Sequence, residues 1–457
     1  MKRLSMVFAA WMRSTSWTSF CSYARRCCRT TTDSAWATLP PGPANQFSLA
    51  EEGSAAVAWR MASMPRRADV IVVGGGANGT STAYHLAARG VRSVLLLERH
   101  HLGAGATGKS GALVRMHYTN EAESRLAFES LKMFREFRNI VGGDCGFEPI
   151  GFLQLVAPGF EAALERNVTR QQRLGIGTQV LSPDRVRDLL PGSRVDDLGA
   201  AAWEPNSGFA DPNATTFGFA EAARRLGATI ETGCEVTRIV TERGRVVGVE
   251  TANGRVDTDT VVLVPGAWAA PLLKPLGLDF GLAPHRIQIT IFRWPAGFDT
   301  RHCVVIDATR HSWFRPEGSA ATLIGVELGV GHADPDTYDE GVDPEFVATC
   351  REALSARLPA FAKATMRGGW AGMIMMSPDG RPIIDQIPSV AGLYCMLGDS
   401  GTSFKTSPAI GKCLAEWIVD GKPRTVDLTP FRSTRFAEGR LWQDADNYGL
   451  DGLTISR

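Results

Sequence analysis

Residues Ala68 to Arg99 read ADVIVVGGGANGTSTAYHLAARGVRSVLLLER, and the rest of the chain is interpreted outward from them. Asp69 to Val73 is a short β-branched apolar run, the pattern of a parallel strand covered on both faces. Gly74, Gly76 and Gly79 then fit G-x-G-x-x-G. The first glycine allows a tight turn, the second lets backbone approach a pyrophosphate, and the third lets a helix pack closely on the strand. Residues 79–89 carry apolar Ala83, Leu86 and Ala87 at helical spacing, and Gly90 suits the position just past a helix end. The helix start offers N–H groups and a positive dipole end to phosphate. A second apolar strand, Ser93 to Leu97, runs into Glu98, about 20 residues past the glycines, where a carboxylate meets ribose hydroxyls. Strand, glycines, helix, strand and acid in that order predict a dinucleotide site built from Gly74, Gly76, Ala77, Asn78, Gly79, Glu98 and Arg99.

Composition narrows the remainder. At 457 residues the chain is long enough for two or three domains. Net charge is +1, which gives no bulk attraction for nucleic acid or an anionic membrane. No uninterrupted apolar run reaches the roughly 18 residues of a membrane span. Nine cysteines are scattered without a C-x-x-C pair, which argues against a disulfide framework or a zinc site, so no metal is expected. Residues 1–64 differ from the rest of the chain. Lys2, Arg3, Arg13, Arg25, Arg26 and Arg29 fall in the first 32 residues, with no acidic residue among them. Three readings stay open: an organellar transit segment, a disordered tail, or a native start at Met61 or Met64. A transit segment implies the mitochondrial matrix; a later start implies the cytoplasm.

A second small-residue cluster comes directly after the first unit: HLGAGATGKSGALVRMHY, His101 to Tyr118. Two later segments accompany it. Cys234 to Leu273 alternates apolar and polar residues around the turns ERGR and ANGR and ends in Gly266-Ala-Trp268. Ser377 to Gly411 contains GDSGTSFK, Gly398 to Lys405. Over roughly residues 68–436 this arrangement resembles FAD enzymes of the D-amino-acid oxidase superfamily, and within it sarcosine oxidases, including the β-subunit type. The resemblance implies an α/β fold in which a Rossmann-like FAD-binding domain of glutathione-reductase type is interleaved with an antiparallel-sheet α+β substrate domain. The FAD domain would comprise about 66–150, 205–275 and 370–425, and the substrate domain about 151–204 and 276–369; residues 426–457 are left as a C-terminal tail. PHRIQITIFRW, HCVVIDAT and ATLIGVELGV read as strands of the second domain, and DPEFVATCREALSARLPAF as an amphipathic helix.

The resemblance also implies site residues. Around FAD it points to Gly105, Ala106, Thr107, Lys109, Ser110 and Gly111, to Val236, Gly266 and Trp268, and to Gly398, Ser400, Gly401, Thr402 and Lys405. Oxidising an amine to an imine needs little acid–base machinery, but an amino-acid substrate needs a cationic clamp for its carboxylate. Arg115 and Lys405 are the candidates, with His285 as a cavity-lining residue. His117 flanks the flavin loop, and Trp370 and Met373 are pocket or core. The position matching the flavin-linking cysteine of monomeric sarcosine oxidases is Gly372, and the histidine that links flavin in other relatives falls near Lys109, so FAD is expected to bind non-covalently. The lysine that promotes reaction with oxygen in those oxidases is matched by Leu323. The acceptor is therefore left as oxygen or a partner redox protein, within a possible hetero-oligomer. The expected activity is oxidation of the C–N bond of a secondary or N-methylated amino acid. The alternatives are a D-amino acid, glycine or a 2-hydroxy acid as substrate, or a flavoprotein assembly factor without turnover.

Overall fold

The run Val70–Val73 is buried along its whole length because both faces of its strand are covered. Its side chains alternate in direction, so Val70 and Val72 enter one core while Ile71 and Val73 enter another. These elements come from a computed structural model that describes residues 65–327, 331–444 and 446–449. The readings of the leader therefore lie outside the described residues.

Val70–Val73 is central to a six-stranded sheet in the order Ile383–Gln386, Leu393–Leu397, Val261–Leu263, Val70–Val73, Val94–Glu98, Thr229–Thr232. Every pairing is parallel except the first. On one face lie the helices Ala77–Ala88, Pro212–Arg225 and Ser407–Asp420, which contribute Ala83, Leu86, Phe219, Ile410 and Leu414 to the core with Val70 and Val72. Gly411 permits a close helix crossing: a Cβ there would stand 2.3 Å from Ser81 Oγ. The other face is covered by the meander Val236–Glu242, Arg245–Thr251, Gly254–Asp257, through Val236, Ile239 and Val249. The expected turn ERGR is present, with Arg243 and Gly244 both at positive φ. Gly90 closes the first helix at φ 83°.

A second, nine-stranded sheet is built mainly on Ala283–Arg293, which pairs with Ala321–Val326 on one side and Met366–Met376 on the other. Two features differ from expectation. The pairing of Val304–Asp307 with Phe152–Val156 is parallel within a sheet expected to be antiparallel. The two strands lie on either side of a long excursion through the parallel sheet, which provides the crossover that a parallel pair requires. Residues 426–449 are also more than a tail. Arg435 pairs with Asp379 (2.8 Å), Asp444 meets Thr119 (2.5 Å), Asp446 takes Arg170 (2.8 Å), and Tyr448 is buried against His117. Lone polar residues in a glycine-poor segment carry no periodicity, so this docking has no local signature. The chain is of the α/β class, with mixed parallel and antiparallel sheets.

The helix Pro344–Arg357 is pinned to this second sheet by charge. Arg357 and Asp307 are both fully buried and meet at 2.7 Å, and Arg357 also reaches Asp197 at 2.8 Å. Replacing the cation leaves a buried carboxylate without its partner, which typically costs about 3–5 kcal/mol. Arg357→Met should therefore lower the urea midpoint of unfolding by a corresponding amount. An unchanged midpoint would show that packing alone holds the helix.

Candidate functional site

The three glycines of the opening motif are required by distances. Gly74 has φ 112°, and a Cβ on it would lie 2.3 Å from the carbonyl oxygen of Val264. A Cβ on Gly79 would lie 1.9 Å from the carbonyl oxygen of Gly74, so the helix Ala77–Ala88 can approach its strand only through glycine. A Cβ on Gly76 would press within 3.0 Å of Thr107 Oγ1. Glu98 fixes this loop: Gly75 N–H donates to Oε2 at 2.7 Å and His100 N–H donates to Oε1 at 2.8 Å.

These elements surround a cavity of about 340 Å³ lined by Gly74, Gly76, Ala77, Asn78, Gly79, Glu98 and Arg99. Gly105, Ala106, Thr107, Val236, Gly266, Trp268 and Gly398 complete most of the sequence-derived set. The helix start has no side-chain cap, Asn78 Oδ1 is buried without a hydrogen-bond partner, and the glycine loop leaves backbone open to the cavity. This donor and acceptor set fits a dinucleotide, with phosphate at the helix start and ribose hydroxyls at Glu98. At the rim, Arg99 lies over the Trp268 ring (5.1 Å) and pairs with Asp336 (3.0 Å), which also accepts from Trp268 Nε1 (2.8 Å).

A second cavity, about 110 Å³, adjoins the first. Ser110, Gly111, Arg115, Gly401 and Lys405 line it. Ile287, Ile289, Ile306, Trp313 and Ile374 form an apolar wall. The two sheets meet here: the isoleucines come from the nine-stranded sheet, and Gly401 and Lys405 from the loop ahead of Ser407–Asp420. Arg115 follows the short strand Leu113–Val114, which pairs with Gly208–Phe209. Glu204 secures the same turn by accepting from Met116 N–H (2.9 Å) and Ser207 Oγ (2.6 Å). The Arg115 guanidinium donates to the His117 carbonyl and lies 4.4 Å from the centre of the Tyr118 ring. Burial pulls its pKa down, while Tyr118 and Glu204 act in the opposite direction. Lys405 Nζ donates to the Thr402 carbonyl at 3.0 Å and faces the Tyr118 ring at 5.5 Å.

Several candidates are placed elsewhere. Ser400, at φ 48°, accepts from Ser377 N–H and donates to the Gly398 carbonyl, so it shapes the loop without lining either cavity. Thr402 likewise turns its hydroxyl to the Asp399 carbonyl. Lys109 points outward to Tyr338 and Glu340 and is also outside both linings. His285 pairs with His332 across two strands, and burial lowers its pKa. His117 is a buried partner of Tyr448 (2.6 Å), with burial pushing its pKa to about 3. Ser407 is the first residue of its helix and donates to the Phe404 carbonyl (2.8 Å). Met373 lines the first cavity, Trp370 donates to the Lys109 carbonyl (2.9 Å), and Leu323 is fully buried in its sheet. Sequence reading missed Gln288, Trp313, Glu327 and Asp399 as lining residues. Alternation in RIQITI could have marked Gln288, and Asp399 stood inside the quoted loop GDSGTSFK.

The family model described as DAO, FAD dependent oxidoreductase, matches residues 69–417. The chain is 28% identical over 395 residues to sarcosine oxidase subunit beta of Rhizobium meliloti (strain 1021), covering 84% of this chain and 92% of that one. Among solved structures, L-proline dehydrogenase from P. horikoshii superposes with TM-score 0.77 at 27% identity, over 83% of this chain and all of that one (100%). Glycine oxidase from Geobacillus kaustophilus superposes with TM-score 0.71 at 25% identity, over 81% and 99%.

Glu98→Gln replaces one of two acceptor oxygens with an amide NH2 group that faces a backbone N–H. Losing a hydrogen bond to a charged group costs about 1.5–3 kcal/mol, so FAD affinity should fall about ten- to a hundredfold. Fluorescence of released flavin on dilution measures this. Full retention would mean that neither acceptor oxygen of Glu98 governs FAD binding.

Proposed function

This chain belongs to the DAO family of FAD-dependent oxidoreductases, and from that premise we propose that it oxidises the C–N bond of a secondary or N-methylated amino acid. One observation carries the reading: a small cavity holding two cations, Arg115 and Lys405, shares a wall with the dinucleotide cavity. FAD, bound non-covalently in the larger cavity, supplies the two-electron acceptor. Arg115 and Lys405 hold the substrate carboxylate, each as a charge-assisted donor. The isoleucines and Trp313 exclude water and fix the carbon to be oxidised against the shared wall. The imine product hydrolyses once it reaches water. The β-subunit relative and the proline dehydrogenase neighbour support this substrate class, the glycine oxidase neighbour supports amino-acid oxidation more broadly, and the subunit likeness supports a hetero-oligomer as the working assembly.

Gly372 supports non-covalent FAD: it has no side chain to link flavin, and Lys109, whose Cβ would stand 3.1 Å from a Cβ added there, is not a residue type that does so in the relatives it resembles. Leu323, buried within its sheet, offers no cation for oxygen chemistry, which favours a partner redox protein as acceptor. On anaerobic mixing with sarcosine, dimethylglycine, proline and glycine, at least one of the N-substituted amino acids should bleach the flavin band. Reoxidation in air should be slower than by an artificial acceptor. Bleaching by none of them, or by glycine alone, would overturn the proposal. Lys405→Met should weaken the amino acid by about 2 kcal/mol, roughly thirtyfold, while FAD stays bound. Unchanged half-saturation would remove Lys405 from the clamp.

A further inference from the structure

The two cavities share Ala77, Asn78, Ala106, Thr107, Asp399 and Ser403. Among these six, Asp399 alone carries an ionisable side chain. It is half-buried, and the surface it retains faces the cavities. Its carboxylate is oriented unequally. Met375 N–H donates to Oδ1 at 3.2 Å, and Gly401 N–H also serves the group. Oδ2 takes the Ser403 hydroxyl at a long 3.5 Å, and that hydroxyl in turn accepts from Asn78 Nδ2 at 3.2 Å. A carboxylate oxygen takes about two hydrogen bonds, so Oδ2 keeps acceptor capacity where the two cavities meet.

The proposed chemistry needs such a group. An amino-acid nitrogen reaches the site as an ammonium, and its carbon cannot give up a hydride until the nitrogen regains its lone pair. We propose that Asp399 is the base of this reaction, accepting that proton at Oδ2. One N–H bond breaks and one O–H bond forms. The ammonium and the carboxylate become a neutral amine and a carboxylic acid, and the proton later passes to water with the product. The inference rests on the substrate class proposed above.

The electrostatics suit the role. Burial raises the Asp399 pKa to about 6, against the backbone N–H groups of Met375 and Gly401, Ser403 and the field of Lys405. The other charged or titratable groups facing the two cavities are Arg115 and Glu327 in the smaller and Glu98, Arg99, His100, Glu235 and Asp336 in the larger. Asp399 is therefore a carboxylate at neutral pH, yet holds a proton more readily than an ordinary aspartate. Its base form is lost as pH falls through about 6.

The test uses the FAD-loaded protein with Asp399→Asn and Asp399→Glu, reduced anaerobically by sarcosine from pH 5 to 10.5. The wild type should lose rate below about pH 6, Asp399→Glu should keep an acid limb, and Asp399→Asn should have none. At pH 7 the Asn variant should be about a hundredfold slower, the lower range for removal of a general base. That deficit should shrink above the amine's own pKa, where the substrate arrives already neutral. A second readout avoids turnover: spectral titration of the oxidised flavoprotein with trimethylglycine, a fixed cation without an N–H. Wild-type affinity should drop about tenfold below pH 6, and the Asn variant should be flat. Should the Asn variant fail to hold FAD, the wild-type titration alone decides. A deficit equal at every pH, or a wild-type affinity independent of pH, overturns the role of Asp399 while leaving the substrate class standing. A wild type that no amino acid reduces overturns both.

Discussion

The architecture depends on one close approach. The helix Ala77–Ala88 lies so near its strand that a Cβ at position 79 would be 1.9 Å from the Gly74 carbonyl oxygen. Glycine at this position lets the helix start point into the cavity, and Glu98 locks the geometry by accepting from Gly75 N–H. Everything nearby is arranged around that contact. Pro212–Arg225 and Ser407–Asp420 pack on the same helix, and the loop ahead of the latter carries Asp399, Gly401 and Lys405 to the cavity.

A second constraint comes from interleaving. The chain leaves the parallel sheet twice to build the nine-stranded one, so the two sheets meet along a seam. The smaller cavity lies in that seam. One wall is apolar and comes from Ile287, Ile289, Ile306, Trp313 and Ile374 of the nine-stranded sheet, while the other is polar and comes from Arg115, Glu327, Asp399 and Lys405. Such a division suits the proposed small zwitterion, whose carboxylate would meet Arg115 and Lys405 while its carbon lay against isoleucine and its nitrogen reached the shared wall.

Legibility in the sequence tracked range. The strand–glycine–helix–strand–acid unit is local, and each of its residues could be assigned from spacing; all seven line the larger cavity. The clamp candidates Arg115 and Lys405 came from a family likeness, and both line the smaller cavity. Ser400, Thr402 and Lys109 belong to the right loops but turn away, because spacing cannot say which way a loop side chain points. Trp313 sits on a strand whose inward face is fixed only by sheet register, a long-range property, and Glu327 directly follows the strand that pairs with it. Asp399 was in view but unread, since an acid in a small-residue loop acquires meaning only from the cavities on either side.

The central claim is that an amino acid's carboxylate is held in the smaller cavity, with its nitrogen at the wall shared with FAD. A crystal structure of the FAD-bound protein with trimethylglycine tests this most directly. The account predicts the carboxylate within hydrogen-bond distance of Arg115 or Lys405 and the cationic nitrogen beside Asp399. A carboxylate bound elsewhere, or a ligand reversed so that its nitrogen faces the two cations, would contradict it.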